Sequence, residues 1–187
     1  MENVESDELI VNNPELEPVL ESEIDEMSFE DEEDEEVDSK GLIGFNFKDV
    51  KFRTLDEKHK SMSPKLISIY NDVKNHFMSY NGVTSKLSKS YDCIYLGRKI
   101  VAKLSITSTK VKVYIAIDPN KYSITQYPHK DLSEKKTHMN TPYFAAVKSP
   151  LSIKRIKIVY SDMMNERNVE ANNSYEKVDY VQMLKQD

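Results

Sequence analysis

The chain has 187 residues with 26 Lys and Arg against 32 Asp and Glu, a length suited to one domain of ordinary size. Residues 1–39 hold 18 acidic residues and no basic one, so the net charge of −6 divides into −18 for this segment and +12 for the remaining 148 residues. A single cysteine, Cys93, excludes an internal disulfide framework. The acidic N-terminus reverses the charge order of a signal peptide, and no apolar run reaches the roughly 18 residues of a membrane span. The expectation is a cytoplasmic protein without membrane insertion.

Residues 1–39 read as a disordered acidic arm, because the run Glu30-Asp31-Glu32-Glu33-Asp34-Glu35-Glu36 repels itself too strongly to compact. Apolar islands interrupt the arm at Leu9-Ile10-Val11, Leu16, Val19, Leu20, Ile24, Met27 and Phe29. Pro18 can open a short helix that sets Leu20, Ile24 and Met27 on one face. Such a segment either folds into a partner's groove or serves as a solubilising tether with incidental apolar residues. It lacks the central glycine and alternating ligands of a calcium loop.

Residues 40–62 read as a hinge, marked by Gly41 and Gly44, and a docking segment carrying Phe45, Phe47, Val50, Phe52 and Leu55. The first helix follows, with Ser63 as N-cap, Pro64 at the first helical position and Asn81-Gly82 as its stop. Leu66, Ile69, Tyr70, Val73, Phe77 and Tyr80 recur along it at helical spacing.

Strand character then covers Val83 to Tyr91, Cys93 to Leu96, Lys99 to Thr107 and Lys110 to Asp118, with Gly97-Arg98 and Ser108-Thr109 at turns. Ile100, Ala102, Leu104 and Ile106 share one face of their strand, as do Val111, Val113, Ile115 and Ile117 of the next. A two-residue turn at Ser108-Thr109 sets Leu104 opposite Val113 and Ala102 opposite Ile115, so both apolar faces coincide. Tyr143 to Lys148 is a further short strand. Ser149 and Pro150 then open a second helix whose apolar face is Ile153, Ile156, Val159, Tyr160, Met163 and Met164. A polar tail follows Asn168, with a short terminal helix over Tyr175, Val178, Val181 and Leu184. The fold class is α+β: an antiparallel sheet of about four strands with two main helices packed on one face, spanning residues 63–167 between the docking segment and a tail at 168–187.

The outward face of the hairpin is the candidate binding surface: Lys99, Lys103, Lys110 and Lys112 with Tyr114, Lys103 lying opposite Tyr114. Lys86, Lys89 and Tyr95 occupy neighbouring strand sequence. A basic sheet face with an aromatic is a platform on which single-stranded nucleic acid stacks bases while lysines meet phosphates. Antiparallel sheets also commonly expose one polar face, and lysines guard strand edges.

Three stretches carry a resemblance: Ser79-Tyr80-Asn81-Gly82-Val83-Thr84-Ser85-Lys86, then Gly97-Arg98-Lys99-Ile100-Val101-Ala102-Lys103-Leu104, then Val113-Tyr114-Ile115-Ala116-Ile117-Asp118-Pro119. Together with Asp131-Leu132-Ser133-Glu134-Lys135-Lys136, and with Pro142 leading through Ala146-Val147-Lys148-Ser149, their order over about residues 45–165 resembles an uncharacterised α/β domain widespread in low-GC Gram-positive bacteria. That family has no assigned activity, so the resemblance implies a domain and no residue roles.

Catalytic constellations are scarce. Four glycines leave little room for a phosphate loop. His59, His76, His129 and His138 are scattered without metal-ligand spacing, so no metal or cofactor is expected. Cys93, among apolar strand residues, reads as a buried inert thiol. Asp118 at a strand end, with Lys103 and Lys112, is the one nuclease-like grouping, although Asp-Pro is more simply a turn. The function expected is a non-enzymatic interaction module that binds a protein partner. The alternatives are a nucleic-acid-binding face autoinhibited by the arm, and a nuclease-like enzyme.

Overall fold

A computed structural model describes residues 13, 14, 16 and 54–184, the side chain of Leu184 excepted. The acidic run 30–36, the helix expected at Leu20, Ile24 and Met27, and the hinge at Gly41 and Gly44 lie outside the described residues. Among the described residues, no helix is long and apolar enough to cross a membrane.

The body begins at a capping box. Thr54 Oγ1 accepts the Glu57 N–H at 3.3 Å while Glu57 Oε2 accepts the Thr54 N–H at 3.0 Å, opening helix α1 (Leu55–Lys60). Leu55 and His59 form its buried side. Helix α2 (Pro64–Met78) starts as its sequence directs, with Ser63 Oγ accepting the Leu66 N–H and Pro64 in the first turn. It buries Leu66, Ile69, Tyr70, Val73 and Phe77.

The sheet is antiparallel throughout, with strands β1 (Val83–Leu87), β2 (Asp92–Leu96), β3 (Lys99–Ile106), β4 (Val111–Ile115), β5 (Lys130–Asp131) and β6 (Tyr143–Val147). Their spatial order is β1-β2-β3-β4-β6-β5. The β3–β4 hairpin has the register read from the alternation: Ala102 opposite Ile115, Lys103 opposite Tyr114 and Leu104 opposite Val113. Thr107 N–H donates to Lys110 C=O at 3.0 Å and closes the two-residue turn. Gly97, at φ +60°, takes a left-handed conformation in the turn from β2 to β3.

Six strands, not four, make the sheet. β6 returns to pair with β4, and β5 is only two residues long, too short for any alternation to announce it. All five residues of β4 are consequently buried, because the strand is flanked on both edges and covered on both faces.

Helix α3 (Pro150–Glu166), opened by a Ser149 and Ser152 capping box, and α2 contribute to a main core with Ala102, Leu104, Val111, Val113 and Ile115 of the sheet. Tyr160 stacks on Phe77 at 3.8 Å between ring centroids. Within this core Asp92 is fully buried, its Oδ2 accepting the Tyr70 hydroxyl at 2.5 Å and the Lys74 ammonium at 2.6 Å. A buried charge survives only with such partners.

The domain is wider than residues 63–167. The segment expected to be a polar tail is sewn onto α2: Asn75 Oδ1 accepts the Val178 N–H and the Tyr175 hydroxyl, while its Nδ2 donates to Val178 C=O. Helix α4 (Tyr180–Leu184) then buries Val181. At the other end Leu16, from the arm, is 3% exposed and belongs to the main core.

Candidate functional site

Cross-strand partners share a face, so the register defines the sheet's outer side. One row runs across all six strands: Lys86, Cys93, Lys103, Tyr114, Phe144 and Lys130. A second row holds Ser105, Lys112 and Ala146. Lys103, Lys110, Lys112 and Tyr114 therefore sit on the expected side, and Lys86 joins them.

Lys99 does not. Ile94 pairs with Ala102 but Tyr95 pairs with Ile100, which leaves Val101 as an extra residue, a bulge that reverses the alternation of β3 beyond it. Val101 enters the main core, Ile100 leaves it, and Lys99 pairs with Leu96, which packs against that core. Lys99 is exposed at the helix-side rim.

Nor is the outer face open at its centre. Residues 132–141 form a strap of successive turns, with Lys135 N–H donating to Leu132 C=O, His138 N–H to Lys135 C=O and Thr141 N–H to His138 C=O. The strap lays His138 flat on Tyr114, ring centroids 4.4 Å apart and 4° from parallel. Leu132 completes a second small core with Tyr114 and Phe144, and Lys103 Nζ donates to Thr137 C=O at 2.7 Å. Tyr114 is 4% exposed and Lys112 7%. The face of Tyr114 that would stack on a base is thus occupied by His138, and the lysines remain around a covered centre.

Asp118 caps the short 3-10 helix Pro119–Lys121, its Oδ1 accepting both the Asn120 N–H at 3.0 Å and the Asn120 side-chain amide at 3.1 Å. It lines a cleft of about 390 Å³ with Asp131, Asn140 and Arg167. Asp118 lies beyond the end of β4, whereas Lys112 is buried within β4 and Lys103 Nζ donates to Thr137 C=O, and neither lysine lines the cleft. Among the described residues no three His, Cys, Asp or Glu side chains are placed to hold a metal. Cys93 is buried, and burial raises its thiol pKa, which keeps it protonated.

A different site is built where the arm meets the body. Leu16 N–H donates to Asn13 C=O at 3.1 Å, closing a β-turn with Asn first and Pro14 second, the residues that type I and II turns favour. The side-chain amide of Gln126 spans the outer groups of this turn. Its Oε1 accepts the Asn13 N–H at 2.9 Å and its Nε2 donates to Leu16 C=O at 3.4 Å. Gln126 is held in turn by the 123–127 reversal, in which Gln126 and Tyr127 N–H both donate to Ser123 C=O. Beside it Tyr127 is fully buried, edge-on to Tyr122 at 5.2 Å, with its hydroxyl pKa raised by burial. Asn12-Asn13-Pro14 is a turn signature visible in the sequence. Nothing in the sequence pointed to Gln126 as its receptor, since the two are more than a hundred residues apart.

No family model, no curated protein and no solved structure matches the chain. The resemblance to the uncharacterised bacterial domain accordingly gains no support from them.

Proposed function

We propose that this protein is a non-enzymatic interaction module, an α+β body with an acidic arm, that binds a protein partner. The observation that carries this reading is the Gln126 clamp: the body holds a stretch of polypeptide by its main chain and accepts the leucine of that stretch into its core. Main-chain hydrogen bonds with a pocket for a side chain are the general means by which modules recognise peptides. A cytoplasmic setting goes with this reading, since the single cysteine stays a buried thiol.

A second reading, nucleic-acid binding autoinhibited by the arm, draws on the outer row with Lys86 and Lys103. With Tyr114 covered by His138, that reading retains charge but loses its stacking component, so it predicts sequence-independent and strongly salt-dependent binding.

The two readings separate in one experiment. The immobilised full-length chain and its Gln126→Ala variant are exposed to cell extract at about physiological salt, and retained protein and nucleic acid are each quantified. The proposal expects a defined polypeptide retained by the first and lost from the second. Retention of nucleic acid alone, equal for both chains, would contradict it.

A further inference from the structure

The Gln126 site reads a shape. Two of its contacts go to main-chain groups at the ends of a β-turn, a third is the burial of the leucine at the turn's fourth position, and the Tyr127 hydroxyl meets the side chain of Asn13 at the first. A polypeptide that folds into the same turn with asparagine first and leucine fourth satisfies all of them. Proline at the second position favours that turn before binding, which reduces the ordering cost.

The present occupant belongs to the same chain as the body. Thirty-seven residues separate Leu16 from Thr54, where the Leu55 N–H anchors the chain to Lys89 C=O. An occupant that shares the chain meets its site intramolecularly, at an effective concentration on the order of a millimolar. That concentration is enough to fill a modest site in the free protein, yet a partner that adds contacts of its own can displace the arm. The local charge also indicates the kind of partner. The turn is embedded in an acidic arm, with Glu15 inside it and Glu17 directly after it.

Resting on the protein-binding reading above, we infer that the Gln126 site is the recognition site for a leucine-bearing, proline-initiated β-turn in an acidic segment of the partner, with residues 13–16 as its built-in competitor. The arm then sets a threshold: partners weaker than the tethered turn are excluded, and a bound partner releases the arm.

The probe is a fluorescein-labelled synthetic peptide with the sequence of residues 9–20, titrated by fluorescence anisotropy into the full-length chain and its variants. Leu16→Ala, which weakens the competitor, should raise peptide affinity about fivefold. Gln126→Ala added to that variant should abolish the gain, and a peptide with alanine in place of its leucine should not bind. Equal affinity of the wild-type and Leu16→Ala chains would overturn the competition, and binding insensitive to Gln126 would overturn the site. A measurement on the wild-type chain needs no variant: excess unlabelled peptide should speed hydrogen exchange at the Leu16 amide, and unchanged exchange would also overturn the inference. Were the peptide to fail while Gln126-dependent retention of a partner persisted, only this inference would fall. Absence of any retained polypeptide would remove the protein-binding reading itself.

Discussion

The strap at residues 132–141 and the arm turn at residues 13–16 both cover the body without regular secondary structure, and they are attached in opposite ways. The strap is bounded by β5 and β6, so little chain entropy is lost when it closes, and it is fastened by Leu132, by the His138 stack on Tyr114 and by Lys103. The arm turn lies thirty-seven residues before Thr54 and is fastened by Leu16, by the Gln126 side-chain amide and by the Asn13 side chain against Tyr127. The first behaves as part of the domain. The second behaves as a ligand that shares its chain.

The largest effect should come from the framework under both covers. Lys74→Met leaves the buried Asp92 carboxylate without its cation, a loss of about 3–5 kcal/mol, and chemical denaturation should show both covers lost together with the body. A stability within about 1 kcal/mol of wild type would mean that the ion pair does not anchor β2 to α2.

Leu132→Ala tests the strap. It opens the second core and should cost about 2–3 kcal/mol of global stability, while the exposure of Tyr114 rises to quenchers of tyrosine fluorescence. A negligible cost would make the strap as detachable as the arm.

Acid should loosen the helix side next. Burial lowers the pKa of His59 from its ordinary value near 6.5, and burial with the neighbouring Lys157 lowers that of His76 to about 4. The folded state therefore binds fewer protons than the unfolded chain. The stability held by these neutral imidazoles is complete above pH 6.5 and is lost as the pH falls towards 4. Between pH 7 and 5 the urea midpoint should fall by the equivalent of about 1–2 kcal/mol. His76 Nε2 faces Lys157 C=O at 3.1 Å, so His76→Gln can retain a donor there while flattening the pH dependence; an unchanged slope would exclude His76 as a source.

Leu16→Ala should have the smallest effect on global stability. Its cost cannot exceed the free energy of seating the arm, about 1 kcal/mol or less for a locally opening segment. A cost equal to that of Leu132→Ala would make the arm turn a fixed part of the core and would erase the contrast.

What the sequence disclosed follows from these attachments. Helices α2 and α3 were legible because each begins with Ser-Pro and repeats its apolar residues at helical spacing, and the β3–β4 register followed from strict alternation on both strands. The Val101 bulge was not legible, since an inserted residue leaves an apolar run apolar while moving Lys99 to the other side. The strap was hidden because polar turn residues carry no period, and its stack of His138 on Tyr114 joins residues that only the β4–β6 pairing brings together. Leu16 appeared among the apolar islands of the arm, and the turn chemistry beside it was readable. Its seat depended on the backbone geometry of residues 123–127, which no residue type announces.

The account rests most directly on the seating of the arm, and amide hydrogen exchange of the full-length chain measures it. The account predicts that the Asn13 and Leu16 N–H groups, both hydrogen-bonded, exchange more slowly than in an unfolded chain and that Gln126→Ala returns both to the unfolded rate. Exchange at the unfolded rate in the wild-type protein, or slow exchange indifferent to Gln126, would contradict it.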